Sequence, residues 1–104
     1  MAELDEVFQA DIAIIYKHSP LCGASRWAQD EVMEFAAAHP DIPVFQIDVV
    51  NSRPLSREVA ARLNIRHQSP QAIVLRAGRP AWSDSHSGIR KPALERAVDE
   101  TRGD

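Results

Sequence analysis

The chain has one cysteine among its 104 residues. Cys22 lies in the stretch Lys17-His18-Ser19-Pro20-Leu21-Cys22-Gly23-Ala24-Ser25, where an apolar run stops and an amphipathic one starts. A thiol at the start of a helix faces unpaired backbone N–H groups and the partial positive charge they carry. Such a field favours the thiolate, which is the nucleophilic form. Pro20 stiffens the loop, and Gly23 lets an incoming disulfide approach the backbone closely. Ser25 stands where a two-thiol enzyme carries its second cysteine, and a hydroxyl cannot resolve a mixed disulfide. Exchange at Cys22 must then pass through an intermolecular disulfide that a second thiol, small or protein-borne, resolves. The alternative is a buried, inert cysteine; the proline, the glycine and the helix start argue against it.

Other groups that bear chemistry fall near this loop or near Ser69-Pro70. Lys17, His18, Arg26, Arg66 and His67 are basic. Cations there would hold the carboxylates of a small thiol and favour the thiolate. Taken one at a time, each is as readily a solvated surface charge. Arg26, beside the helix start, and His67, near the proline, stand out. The sequence leaves open which way Lys17 and His18 point. His86 either helps to cap the last helix or faces the site. Trp27 and Trp82 read as packing or pocket-rim residues. Four scattered histidines and one cysteine do not give metal-ligand spacing, so no metal site is expected.

These residues need a frame. Leu4 to Ala10 reads as a short helix with Leu4, Val7 and Phe8 at helical spacing. Ile12 to Tyr16 is a continuous, β-branched run, the pattern of a strand covered on both faces. Arg26 to His39 reads as an amphipathic helix stopped by Pro40. Pro43 to Val49 is a second strand. The next helix opens at Asn51-Ser52-Arg53-Pro54, with Leu55, Val59, Ala60 and Leu63 inward. Asn64 is its left-handed C-terminal residue, followed by apolar Ile65. Ala72 to Arg76 and Ala81 to Ser83 form a hairpin across Ala77-Gly78-Arg79-Pro80, and Pro80 places the fourth strand at an edge. Lys91 to Thr101 is the last helix, with Leu94, Ala97 and Val98 inward. The order is an α/β arrangement, α-β-α-β-α-β-β-α, with helices on both faces of the sheet.

Composition narrows the function. Residues 1–104 read as one domain of ordinary globular make-up, 44% hydrophobic and 26% charged. The net charge is −3 with no basic run, which argues against nucleic acid as a partner. No apolar stretch reaches membrane-spanning length. The acidic N-terminus does not read as a signal peptide. With a lone thiol, these features point to the reducing cytoplasm.

The residues carry a resemblance as well. The order of elements, with a cysteine at the first strand-to-helix junction, resembles the thioredoxin fold. Cys22-Gly23-Ala24-Ser25 resembles the one-thiol site of monothiol glutaredoxins, with Ala24 in place of a phenylalanine. A narrower resemblance spans nearly the whole chain. Tyr16-Lys17-His18-Ser19, Cys22-x-x-Ser25, Arg66-His67-Gln68-Ser69-Pro70-Gln71-Ala72 and Ser85-His86 with Ile89 together resemble the monothiol bacilliredoxins. That resemblance implies a thioredoxin-like fold with a four-stranded mixed sheet. It implies a cis Ser69–Pro70 bond set against Cys22, with the Ser69 backbone pairing to an extended substrate. Related oxidoreductases carry a buried acid on the first strand beneath the cysteines; Ile12 to Tyr16 has none.

The activity implied is thiol–disulfide exchange through Cys22. It would free S-thiolated client proteins from bacillithiol or a similar low-molecular-weight thiol, a co-substrate rather than a bound cofactor. Substrate would be held by Ser69, Pro70, Arg26, His67, Lys17 and His18. A monomer is expected. Two other readings stand beside it. One is an iron–sulfur cluster carrier of the monothiol glutaredoxin type, with each of two protomers giving one cysteine. The other is a non-catalytic thioredoxin-fold adaptor or stress protein.

Overall fold

The computed structural model describes residues 2–103. Met1 and Asp104, the ends of the span read as one domain, lie outside it. In chain order the elements are α1 (Leu4–Gln9), β1 (Ile12–His18), α2 (Gly23–Ala38), β2 (Val44–Asp48), α3 (Arg53–Leu63), β3 (Gln71–Arg76), β4 (Arg79–Ser85) and α4 (Lys91–Thr101). A 3-10 turn at His86–Gly88 joins the last two. The sheet order is β2-β1-β3-β4, with β1 parallel to β2 and antiparallel to β3, and β3 antiparallel to β4. This is the four-stranded mixed sheet flanked by helices that the sequence implies.

β1 and β3 are central because their side chains suit burial on both faces. Ile12, Ile14 and Tyr16 pack with Ala28, Val32 and Phe35 of α2 and Leu94, Ala97 and Val98 of α4. On the other face Ala13 and Ile15 pack with Val7 of α1 and Val59 and Leu63 of α3. Ile14 and Ile15 are fully buried, so truncating either to alanine would cost about 2–5 kcal/mol. His39 ties α2 to α4: it stacks on Phe35 with centroids 4.5 Å apart and meets Glu95 at 2.7 Å.

Three elements differ from the sequence reading by two or more residues at an end. α2 begins at Gly23, not Arg26. Cys22 takes extended N-cap geometry, and the Ser25 N–H already donates to the Cys22 carbonyl at 3.1 Å. The thiol therefore sits at the helix start itself. β1 continues past Tyr16, because Lys17 and His18 pair with Ile47 and Asp48 of β2. β4 is longer than Ala81 to Ser83, and the hairpin turn shrinks to Ala77-Gly78, with φ of 50° and 78°. A Cβ on Gly78 would lie 2.9 Å from the Phe8 carbonyl oxygen, so the turn needs glycine there. Pro80 lies on β4 at the sheet edge, opposite Leu75, where the register slips. An edge bulge tolerates its missing N–H. Asn64 does adopt left-handed geometry, φ 54°, and ends α3.

Candidate active site

Cys22 is half-buried, with Pro20, Leu21, Gly23 and Ala24 exposed around it. Its N–H donates to the Ser19 carbonyl at 3.2 Å. Apart from its chain neighbours and the helix backbone, nothing lies within 4 Å of where a Gly23 Cβ would be, so the surface at Gly23 is open. Ser25 is fully buried and serves as a staple: its Oγ accepts the Ser19 N–H at 3.1 Å and closes the loop. Its carbonyl accepts the Tyr16 hydroxyl at 2.9 Å.

Tyr16 forms the floor beneath this loop. Burial pushes its hydroxyl far above the ordinary value, outweighing the bond to Ser25, and the nearby Cys22 and Asp30 charges add to the rise. The phenol therefore stays neutral. Its one proton is directed at Ser25, so its oxygen accepts a proton from His18 Nδ1 at 3.1 Å. The floor orients the loop; it offers the thiol no base.

Ser69–Pro70 is a cis peptide. The register pairs Gln71 with Lys17, which sets Pro70 level with His18 at the Cys22 end of the sheet. The Pro70 carbonyl accepts the His86 N–H at 3.1 Å. His86 is thus brought to the site rather than to the cap of α4, whose N-cap is Arg90. With Ala24, Trp27 and Ile89 it lines a largely apolar cleft of about 360 Å³ beside the thiol loop. Trp27 is 79% exposed at the rim, and Leu21 is 83% exposed. Trp82 instead packs against the core. The Ser69 hydroxyl is buried without a hydrogen-bond partner among the described residues.

The basic residues separate into two groups. Arg26 and Arg66 are exposed, and neither side chain makes a hydrogen bond or ion pair among the described residues. Lys17, by contrast, is fully buried and points towards α3. Its Nζ donates to the Ser56 carbonyl and to His67 Nδ1, both at 3.1 Å. Burial lowers the Lys17 pKa. Burial also lowers that of His67, helped by the charges of Lys17, Arg53 and Arg57. With Nδ1 accepting from an ammonium, the neutral His67 ring carries its proton on Nε2. Lys17 and His67 thus meet, as candidates, on the α3 side of the sheet, away from Arg26.

The likenesses to known proteins agree with this geometry. The sequence profile of the family described as monothiol bacilliredoxin BrxC matches residues 1–94. The chain belongs to the monothiol bacilliredoxin family. It is a redox protein of the thiol–disulfide oxidoreductase type. Among solved structures it is similar to a candidate oxidoreductase with a thioredoxin fold, at 27% identity and a TM-score of 0.83, over 94% of this chain and 90% of that one. A thioredoxin from Trypanosoma brucei brucei shares the fold at 14% identity and a TM-score of 0.74, over 100% and 89% of the two chains. The oxidised mitochondrial thioredoxin 3 of Saccharomyces cerevisiae does so at 19% and 0.71, over 92% and 84%.

In this bacilliredoxin fold, four residues to which the sequence reading gave no role in the site border it. Tyr16 underlies the thiol loop, and Ser56, Arg53 and Arg57 surround the Lys17–His67 pair. Two signals were available. Ala13, Ile15 and Lys17 alternate onto one strand face. Arg53, Ser56 and Arg57 fall at i, i+3 and i+4 on one helix face.

Proposed function

We propose that this bacilliredoxin removes bacillithiol, or a similar low-molecular-weight thiol, from mixed disulfides on client proteins. The single observation that carries the reading is a half-buried Cys22 at the N-terminus of α2 with a buried hydroxyl, Ser25, in place of a second sulfur. The Cys22 thiolate attacks the small thiol's sulfur in the mixed disulfide. A Cys22–small-thiol disulfide forms, the client–sulfur bond breaks, and the client leaves as a thiolate that takes a proton from solvent. A second thiol then attacks the small thiol's sulfur, releases a small disulfide and returns Cys22 as the thiolate. Sulfur oxidation is conserved through both steps.

The surroundings suit that sequence. The open Gly23 side and the cleft lined by Trp27 and His86 leave room for a client segment. The backbone before Pro70 offers an edge for it to pair with. Ser25 makes the intermolecular disulfide the only covalent intermediate. The test is turnover of a bacillithiolated client with bacillithiol as the second thiol. Wild type should release free client thiol, and mass spectrometry should trap the small thiol on Cys22. A Cys22→Ser protein that works at the wild-type rate would end the proposal.

A further inference from the structure

Lys17 is a fully buried cation without a buried counter-charge among the described residues. Its partners, the Ser56 carbonyl and His67 Nδ1, are both neutral. Above it, Val49, Val50, Arg53, Ser56, Arg57 and His67 line a pocket of about 240 Å³ between α3 and the end of β2. Among the described residues no carboxylate lies within ion-pair distance of Lys17, Arg53, Arg57 or His67. The acid that ends β2 is occupied elsewhere: Asp48 accepts from the backbone of Val50 and Asn51 at 2.9 Å and from the Asn51 side chain at 2.8 Å. An uncompensated buried charge opposes folding, and an anion from outside the chain, held by the exposed Arg53 and Arg57 above it, would offset that cost.

We propose that this pocket binds a carboxylate group of the small-thiol substrate. Arg53 and Arg57 offer guanidinium forks that match a carboxylate. His67 offers its Nε2–H. Lys17 acts as a positioning residue: it holds Nδ1 as an acceptor and so fixes the ring's proton on the outer nitrogen. Its charge adds to the attraction from beneath. Lys17 and His18 close the strand that leads into the Cys22 loop, so the pocket lies at the thiol end of the sheet. The assignment of the ligand as a small thiol rests on the proposed function; the anion pocket does not.

The test has two arms on the full chain. In the first, the Cys22→Ser protein is titrated with sodium succinate, against sodium chloride at matched ionic strength, by NMR of the His67 and arginine side-chain nitrogens. Saturable shifts at His67, Arg53 and Arg57, absent in the Arg53→Gln/Arg57→Gln background, are expected. Equal shifts from chloride, or shifts that survive in the double variant, would overturn the site. Lys17→Met should blur the single Nε2–H signature of His67. In the second arm, the protein with Cys22 intact is offered one client peptide carrying either mercaptosuccinate or uncharged 2-mercaptoethanol as the mixed disulfide. A preference of about tenfold in kcat/KM for the carboxylate-bearing substrate, lost in Arg53→Gln/Arg57→Gln, is expected. Turnover without preference or succinate binding would remove the pocket and leave the oxidoreductase reading. Succinate binding without turnover of either substrate would do the reverse.

Discussion

Tyr16 and Lys17 are neighbours on one strand, and they build opposite environments on its two faces. Tyr16 faces α2 and ends in a neutral hydroxyl bonded to the Ser25 carbonyl. Lys17 faces α3 and ends in an ammonium bonded only to neutral acceptors. Each meets a histidine, and the two Nδ1 atoms play opposite roles. His18 Nδ1–H donates to the Tyr16 hydroxyl oxygen, whereas His67 Nδ1 accepts from the Lys17 ammonium. One face thus anchors the thiol loop without placing charge beneath it. The other accumulates positive charge with no acid paired to it among the described residues. Because side chains alternate along a strand, a single step in sequence separates the covalent chemistry from the electrostatics.

The sharpest way to test that separation is to remove the sulfur. Cys22→Ser should lower client release by about 10³-fold or more, while the response of His67 to succinate persists. If both vanished together, the two faces would not be independent. Next comes the floor itself. Tyr16→Phe keeps the ring in the core and deletes the hydroxyl that serves Ser25 and His18. Leaving the Ser25 carbonyl without that donor should cost about 1–3 kcal/mol in urea unfolding. The Lys17–His67 side should be untouched, so an altered His67 titration in that variant would break the comparison.

The frame was legible in the sequence because its signals are redundant. Ile12 to Tyr16 is apolar without a gap and lies within β1, Pro40 follows the end of α2, and Asn64 with Ile65 ends α3. Cys22 with Ser25 marked the thiol loop for the same local reason. What escaped was tertiary. Nothing near Lys17 in sequence tells that Ser56 and His67, 39 and 50 residues away, receive its protons. The sequence leaves open which way Lys17 points, because at a strand end solvation of the charge competes with packing. Here the parallel pairing of Lys17 with Ile47 carries the strand one turn of pleat further and puts the ammonium under α3. Arg26 stood out by proximity in sequence, yet α2 starting at Gly23 turns it to solvent. Helix phase, set by where the first turn closes, decided that residue.

Smaller effects probe the cationic face. Lys17→Met replaces a buried charge with an apolar side chain of similar length and should stabilise the fold by about 1 kcal/mol at pH 7. Because burial lowers the Lys17 pKa below its ordinary 10.5, the unfolded chain holds that proton more tightly than the fold. Wild-type stability should therefore rise with pH from the folded-state pKa up to 10.5, and the variant's advantage should shrink over the same range. A variant that is less stable at pH 7 would mean that the bonds to Ser56 and His67 outweigh the burial of charge.

The finest test is the titration of His67. Its pKa should fall below the ordinary 6.5 in wild type, since burial and then the charges of Lys17, Arg53 and Arg57 all disfavour imidazolium. The unfolded chain then takes up a proton that the fold refuses, so His67's contribution is intact above 6.5 and is lost as pH drops below it towards the folded value. In Lys17→Met the pKa should climb but stay under 6.5, because burial is the largest cause and the two arginines remain. Bound succinate should raise it further by favouring the charged ring. A wild-type His67 that titrates at or above 6.5 by NMR would mean that the ring accepts nothing from Lys17. The charge on this face of the strand would then be screened by solvent, and the contrast with Tyr16 would collapse.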